Sequence, residues 1–134
     1  MNLPVPVLLF VDDERGVRES LKIVFAKDFR LLEADSVDAA LPKVQSEKPD
    51  VVLLDVLLPK TDGIEVLRQI KAIHPDCEVI MLTALNTRQL ADKAIDLGAV
   101  DIVGKPFDVV DLRAKVNRAL AKVSRRARTP VPQT

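Results

Sequence analysis

Three short apolar runs constrain the fold of this chain more than any other feature of its sequence. Residues 7–11, 51–54 and 79–82 read VLLFV, VVLL and VIML, with no polar residue inside any run. A strand that faces solvent on one side alternates apolar and polar residues, so these runs predict strands that are covered on both faces. Such strands occur in parallel sheets with helices packed on both sides.

Helical patterns and two weaker strands lie between and after these runs. Ser36 is a candidate N-cap of one helix, in which Pro42 predicts a kink or a short helix. Other helices are predicted over residues 15–26, 64–73, 87–97 and 108–121, and weaker strands over residues 29–33 and 100–103. With the first strand extended to residues 5–11, the pattern predicts five strands that alternate with five helices.

The length and composition fit one domain and exclude several classes of protein. With 134 residues, of which 48% are hydrophobic, the chain can build one core. Aromatic residues make up only 3% of the chain, so a surface that stacks nucleic-acid bases is not expected. The single Cys77 cannot form an intramolecular disulfide, and Pro4 and Pro6 interrupt the apolar start. We therefore expect no signal peptide, no membrane span and a cytoplasmic location.

The formal charge of zero hides two oppositely charged parts. Residues 1–112 hold all 20 acidic and 13 basic residues, a formal charge of −7, whereas residues 113–134 hold seven basic residues and no acidic one. We predict a domain at residues 1–122 and a basic, proline-containing tail or start of a linker at residues 123–134. Solvated charge near a helix end is the simpler interpretation of the tail's arginines, and we expect no direct nucleic-acid binding by the domain.

Polar side chains follow the predicted strands. Asp12 and Asp13 come after the first strand, Asp55 after the third, Thr83 after the fourth and Lys105 after the fifth. The carboxyl ends of parallel strands meet at one edge, so we expect these side chains to converge there. Three carboxylates repel one another unless a cation binds them, and Mg²⁺ binds a few carboxylates while keeping positions open for a phosphate-type ligand. Lys105 and Thr83 would then contact phosphoryl oxygens.

Each of these residues also has a purely structural interpretation. Asp12 or Asp13 could cap the following helix, Asp55 and Thr83 could be turn residues, and Lys105 could be a surface lysine. Their joint placement favours one site, because unrelated caps and turns would not be expected to supply complementary parts of a metal–phosphate site.

Four motifs together indicate a family. FVDDE, VVLLDVLLPKTDG, MLTA and GKPF occur in this order, and with them residues 5–122 resemble the receiver domain of bacterial two-component response regulators. The resemblance implies an α/β, flavodoxin-like, doubly wound sheet of five parallel strands in the order 2-1-3-4-5, with five helices. It implies a sensor histidine kinase or a phosphotransfer protein as partner, and it allows an effector domain or a homodimer through the last helices.

The resemblance also implies a role for the acidic residues. Asp55 is expected to accept a phosphoryl group from a histidine of the partner and become 4-aspartylphosphate. Asp13 and Asp55 are expected to bind Mg²⁺ directly, and Asp12 through water. The backbone carbonyl of Leu57 is expected to be a further Mg²⁺ ligand.

The remaining family positions concern the phosphoryl group and the switch. Thr83 is expected to bind a phosphoryl oxygen and move with it, and Lys105 to pair with the phosphoryl group, with a cis bond to Pro106. Three residues before Lys105, where the family usually has Tyr or Phe, this chain has Ile102. A ring that swings inward therefore cannot be the switch.

Two other functions stay open. A receiver fold used only as a docking module is motivated by Ile102. An aspartate-nucleophile phosphatase of the haloacid dehalogenase type would need an acid two residues after Asp55, where Leu57 stands. A dinucleotide-binding protein is poorly supported, because no glycine-rich turn follows the first strand. We expect no enzymatic activity beyond the chain's own phosphorylation and dephosphorylation.

Overall fold

The computed structural model describes residues 5–58, 60–84 and 88–128 of the chain. Its strands are β1 (Val7–Val11), β2 (Arg30–Ala34), β3 (Val51–Asp55), β4 (Leu57–Leu58), β5 (Thr61–Asp62), β6 (Glu78–Thr83) and β7 (Asp101–Gly104). Its helices are α1 (Arg15–Phe25), α2 (Val37–Glu47), α3 (Gly63–Ile73), α4 (Arg88–Asp96) and α5 (Val109–Arg128). The five predicted strands and five predicted helices are all present, and the ends of most differ from the prediction by one or two residues.

The central sheet has the predicted topology. Its strand order is β2-β1-β3-β6-β7, and all four neighbouring pairs are parallel. The short strands β4 and β5 form a separate antiparallel pair, which the sequence analysis did not predict. Without that pair the order is 2-1-3-4-5, so the doubly wound α/β fold is confirmed. The carboxyl ends of the five strands therefore lie at one edge of the sheet.

Alternate residues of the strands face two separate apolar cores. Leu8 and Phe10 of β1 pack with buried residues of α1 and α5, whereas Leu9 and Val11 pack with buried residues of α2, α3 and α4. Every residue in the runs 8–11, 51–54 and 79–82 has no exposed surface. This confirms that the apolar runs are strands covered on both faces, since a half-exposed strand would show alternating burial.

The second helix is not shortened by its proline. Ser36 caps α2, and its side chain accepts a hydrogen bond from the Ala39 N–H at 3.2 Å, as predicted. The helix then continues through Pro42 for 11 residues, so the prediction of a short helix is wrong. Pro42 is exposed, and water can satisfy the carbonyl to which proline cannot donate. Ala40 and Val44 are fully buried and hold the helix against the sheet.

The last helix is longer than predicted. α5 runs to Arg128 and not to Ala121, so the predicted helix end is wrong. Neither glycine nor proline occurs between these positions, and the residues there include several of the best helix formers, Ala, Lys and Arg. Residues 129–134 lie outside the described part of the chain, and the division at residue 122 stays a prediction. Among the described residues, no helix is long and apolar enough to cross a membrane.

The connection from β3 to α3 is closely packed. The Asp62 side chain caps α3 by accepting a hydrogen bond from the Ile64 N–H at 2.9 Å. A Cβ atom at Gly63 would lie 2.5 Å from the Val56 carbonyl oxygen, so only glycine fits at this position without movement of the backbone. This contact fixes the segment that leaves the acidic end of β3.

Candidate functional site

Three carboxylates meet at the carboxyl edge of the sheet. Asp12 and Asp13 follow β1, and Asp55 is the last residue of β3. One carboxylate oxygen from each lies within 4.8 Å of the other two, and we call these residues the acidic cluster. Asp12 and Asp55 are buried, whereas Asp13 is exposed. The structure therefore brings these three predicted residues together, while their chemical roles stay predictions.

Asp12 is held by several hydrogen bonds. Its N–H donates to the Ala34 carbonyl at 3.1 Å, which extends the pairing of β1 with β2. Its Oδ1 accepts a hydrogen bond from the Glu14 N–H at 2.9 Å, so the residue also caps the turn that leads into α1. Its carbonyl oxygen accepts a hydrogen bond from Nη1 of Arg18 at 2.8 Å. Asp12 is thus a turn residue and a member of the acidic cluster at once.

Asp55 combines burial with contacts of both signs. Its Oδ1 accepts a hydrogen bond from the Leu57 N–H at 3.0 Å, and its Oδ2 lies 3.3 Å from Nζ of Lys105. Burial raises the pKa of Asp55, and the charge of Asp12 raises it further, whereas the Leu57 N–H and Lys105 oppose this rise. The result is a carboxylate whose negative charge is poorly stabilised without a further cation.

Lys105 is the cation that the fold places against the acidic cluster. Its Nζ lies 2.6 Å from Asp12 Oδ2, 3.3 Å from Asp55 Oδ2 and 3.6 Å from Glu14 Oε1. Burial disfavours its charge, but the hydrogen bond to Asp12 and the charges of Asp12 and Asp55 outweigh burial and raise the pKa of Lys105. The bond to Pro106 is cis.

Thr83 and Lys105 lie at the carboxyl ends of two neighbouring strands, β6 and β7. Thr83 ends β6 and is fully buried, and its carbonyl accepts a hydrogen bond from the Lys105 N–H at 2.8 Å. This bond continues the pairing of β6 with β7 beyond Gly104 and sets Lys105 beside the end of β6. Leu57 in β4 is about half exposed, with 51% of its surface accessible.

Ile102 lies in β7 and is partly buried. It packs against the core on the face of the sheet that α2, α3 and α4 cover, together with Leu90 and Leu97. Its carbonyl accepts a hydrogen bond from Nζ of Lys115 in α5 at 3.2 Å. An aliphatic residue therefore occupies the position where the family usually has a ring.

Two residues at the site were missed by the sequence analysis. Glu14 brings a further carboxylate to Lys105, and Arg18 binds the carbonyl of Asp12. The motif FVDDE shows the additional acid beside the pair. Arg18 lies one helical turn after Glu14, and a helix of 3.6 residues per turn places both on one side of α1. Nothing in the spacing shows that Arg18 bonds to a main-chain carbonyl.

The donor atoms of the acidic cluster fit Mg²⁺. All three are carboxylate oxygens, which is the ligand type that Mg²⁺ takes, and the ammonium of Lys105 lies against two of the three carboxylates. The exposed Asp13 leaves one side of the cluster open to water and to a ligand. Mg²⁺ binds carboxylates while keeping several waters, so the partly open cluster suits Mg²⁺ better than a metal ion that takes all its ligands from the protein.

An apolar groove begins next to the site. It is lined by Val17 and Val24 of α1, by Phe107 and Val109 before and at the start of α5, and by Lys105. Apolar grooves of this kind on a protein surface are typical of places where another protein binds.

The chain has clear relatives among curated proteins. Residues 8–117 match the family described as the response regulator receiver domain. The chain is 38% identical over 114 residues to sporulation initiation phosphotransferase F of Bacillus subtilis. This match covers 84% of this chain and 92% of that protein. It is 36% identical over 123 residues to the response regulator MprA of Mycolicibacterium vanbaalenii, covering 91% of this chain and 53% of that protein. The chain therefore spans about half the length of the second relative.

A solved structure agrees with these relatives. The receiver domain of NtrX from Brucella abortus matches with a TM-score of 0.80 at 32% identity, covering 85% of this chain and 98% of that one. The strand order, the acidic edge of the sheet and the family match over residues 8–117 lead to one assignment. The chain belongs to the response regulator receiver domains of two-component signalling systems.

Proposed function

We propose that this chain accepts a phosphoryl group on Asp55 from a phosphohistidine of a partner, in a Mg²⁺-dependent reaction that changes the binding of partners. The observation that carries the proposal is the position of the Asp55 carboxylate. It is buried in the acidic cluster, within 4.8 Å of carboxylate oxygens of Asp12 and Asp13 and 3.3 Å from Nζ of Lys105. No separate enzymatic activity is part of the proposal.

The transfer forms one bond and breaks another. A carboxylate oxygen of Asp55 attacks the phosphorus, an O–P bond forms, and the N–P bond of the phosphohistidine breaks. The electron pair of the broken bond stays on the imidazole nitrogen, which takes up a proton. Lys105 is close enough to Asp55 to pair with an oxygen of the transferred group, which carries charge that must be stabilised during transfer.

The acidic cluster would hold the metal. Asp13 and Asp55 would bind Mg²⁺ directly, Asp12 through water, and the Leu57 carbonyl would complete the protein's ligands. Mg²⁺ held there would supply positive charge that neutralises the phosphoryl oxygens. Asp12, which is already bonded to Lys105 and Glu14, would keep the turn after β1 in place during this step.

The switch would begin at Lys105 and Thr83. A phosphoryl group on Asp55 competes with Asp12 for Lys105 and offers oxygens to the Thr83 hydroxyl, so it stabilises an arrangement that the unmodified protein seldom adopts. Because Ile102 has no ring to rotate, we propose that a change of packing around β7 and α4 carries the signal. An effector domain or a homodimer through the last helices would respond to it.

A protein phosphodonor is supported by the surface beside the site. The groove lined by Val17, Val24 and Phe107 opens next to Lys105, and an apolar surface suits a protein partner better than a small metabolite. One relative, which this chain matches over 92% of that relative's length, is named sporulation initiation phosphotransferase F. We therefore propose a sensor histidine kinase or a phosphotransfer protein as the donor.

Phosphoryl incorporation tests the proposal. The protein is incubated with a phosphoramidate donor and Mg²⁺, and the addition of one phosphoryl group is followed by mass spectrometry. The wild type and an Asp92→Asn control, which alters an exposed aspartate of α4, should both be modified, with a base-labile product. Asp55→Asn, or wild type with excess chelator, should not. Equal modification of Asp55→Asn would overturn the assignment of the acceptor.

The docking-module alternative rests on Ile102 and gives a different result. A module that works without phosphorylation would stay unmodified under conditions in which an established receiver domain is fully modified. Modification of Asp55 with no change in the amide NMR signals of β7 and α4 would also favour it, since the chemistry would then be uncoupled from the surface.

A further inference from the structure

We propose that Arg18 is a positioning residue for the Mg²⁺ site, and that Glu33 on the edge strand β2 holds Arg18 in place. Arg18 would act on the main chain between Asp12 and Asp13 and not on the metal or the phosphoryl group. The inference rests on the proposed function, because it concerns the same acidic cluster.

The contacts of Arg18 join the turn after β1 to the neighbouring strand. Nη1 donates to the Asp12 carbonyl at 2.8 Å, and Nε donates to Glu33 Oε1 at 2.9 Å. Only 14% of the side chain is exposed, so water competes weakly for these bonds. The planar guanidinium can make both bonds at once, which fixes its orientation between α1 and β2.

Asp13 is the member of the acidic cluster that most needs such support. It is exposed, whereas Asp12 and Asp55 are buried and have their own anchors. The carbonyl of Asp12 belongs to the peptide plane that leads into Asp13. A donor that fixes this plane therefore limits where the Asp13 carboxylate can lie relative to the other two.

Arg18 does not act simply as a counter-charge. Among the ion pairs of the described residues, its partner is Glu33 and no member of the acidic cluster. Its positive charge by itself would oppose the binding of a cation nearby. If Arg18 acted only through its charge, its removal would therefore strengthen Mg²⁺ binding. If it acts by positioning the main chain, its removal weakens Mg²⁺ binding.

Glu33 is well placed to hold the arginine. Lys22 of α1 also pairs with its carboxylate, and Nζ of Lys43 in α2 donates to its carbonyl. The hydrogen bond from Lys22, with help from Arg18, holds the pKa of Glu33 below its usual range, so the carboxylate stays charged near neutral pH. The end of β2 thus connects α1 and α2 to the turn that carries the acidic pair.

Mg²⁺ binding is the direct test, followed by amide NMR shifts because the chain has no Trp for intrinsic fluorescence. Arg18→Ala should raise the Kd for Mg²⁺ about tenfold, which corresponds to about 1.4 kcal/mol. Arg18→Lys, which keeps the charge but loses the fork, should raise it about threefold, a smaller loss because one bond can re-form. An Arg30→Ala control removes the exposed pair with Glu47 at the other end of β2 and should leave the Kd unchanged.

The Glu33 variant shows whether the two residues act together. Glu33→Gln should raise the Kd about threefold in the wild type and have no further effect when Arg18 is already alanine, as expected of coupled residues. If wild type itself shows no Mg²⁺-dependent shifts, the proposed function fails. If wild type binds Mg²⁺ and both Arg18 variants bind it as tightly or more tightly, the positioning role is refuted. Should Arg18→Ala not fold, Arg18→Lys decides.

Discussion

Replacing Asp55 with asparagine should make the protein more stable when Mg²⁺ is absent, although it should abolish phosphorylation. The change keeps the shape of the side chain and an oxygen that can accept the Leu57 N–H. It removes one of three negative charges whose oxygens lie within 4.8 Å of one another. The expected gain follows from the cost of burying the Asp55 charge, together with the balance between these repulsions and the attraction of Lys105.

Coulomb's law gives the size of the effect. At an effective dielectric constant of about 20, two unit charges 4.8 Å apart repel by about 3.5 kcal/mol. The attraction between Asp55 and Lys105 at 3.3 Å is about 5 kcal/mol. Without screening, the repulsions of Asp55 by Asp12 and by Asp13 would together exceed this attraction by about 2 kcal/mol. Asp13 is exposed and water screens most of its part, so the charge terms nearly cancel. The cost of burying the Asp55 charge, which is the largest cause of its raised pKa, then leaves an expected gain for Asp55→Asn of about 1–2 kcal/mol. For a domain of this size the melting temperature should rise by about 3–8 °C.

The pH dependence has a definite sign. Burial raises the pKa of Asp55 in the folded protein above the unfolded value of about 3.9. A raised pKa means that the folded state binds the proton more tightly, so this group's contribution to stability is full below about pH 4 and is lost as the pH rises through the folded pKa. The advantage of asparagine should therefore be largest above the folded pKa and shrink toward zero near pH 4.

Thermal unfolding by circular dichroism, with and without Mg²⁺, measures these effects. With chelator near neutral pH, Asp55→Asn should melt above wild type, while the exposed Asp92→Asn control should stay within about 0.5 kcal/mol of wild type. Saturating Mg²⁺ should stabilise wild type more than Asp55→Asn and reduce or reverse the difference, since a ligand at 100 times its Kd adds about 2.7 kcal/mol. An Asp55→Asn protein that melts at or below wild type in chelator would refute the electrostatic reasoning.

Two further predictions concern packing and are read out by chemical unfolding. Gly63→Ala should destabilise the fold by about 2–4 kcal/mol, because the added Cβ would lie 2.5 Å from the Val56 backbone. Gly16→Ala in α1 is the control. It has open space around it and should be neutral or stabilise the fold by up to about 1 kcal/mol. Similar losses in both variants would contradict this. Leu53→Ala in the fully buried strand β3 should lower the free energy of unfolding by about 2–5 kcal/mol. Ile23→Ala, at a side chain that is 83% exposed, should lower it by about 0.5 kcal/mol or less. A large loss of stability in Ile23→Ala would show that this surface is covered in solution.

Much of the fold could be predicted because its signals are local. The uninterrupted runs at residues 51–54 and 79–82 are buried on both faces, and Ser36 caps α2 as its position predicts. The end of α5 could not be predicted, because the sequence carries no stop signal before Pro130 and helix propagation decides where such a helix ends. The β4–β5 pair could not be predicted, because strands of two residues are too short to show a periodic sequence pattern.

The sequence by itself determined which residues stand at the carboxyl ends of the strands, since the limits of the apolar runs mark the strand ends and the alternation of strands with helices predicts the parallel topology. Asp12, Asp13, Asp55, Thr83 and Lys105 were all identified in this way. Only the tertiary structure decided the pairings among them. Lys105 lies closer to Asp12, at 2.6 Å, than to Asp55, at 3.3 Å. Arg18 binds the Asp12 carbonyl and the Glu33 carboxylate, and not a carboxylate of the acidic cluster. Periodicity fixes the direction in which a side chain points, whereas distances between residues far apart in sequence depend on how helices and strands pack.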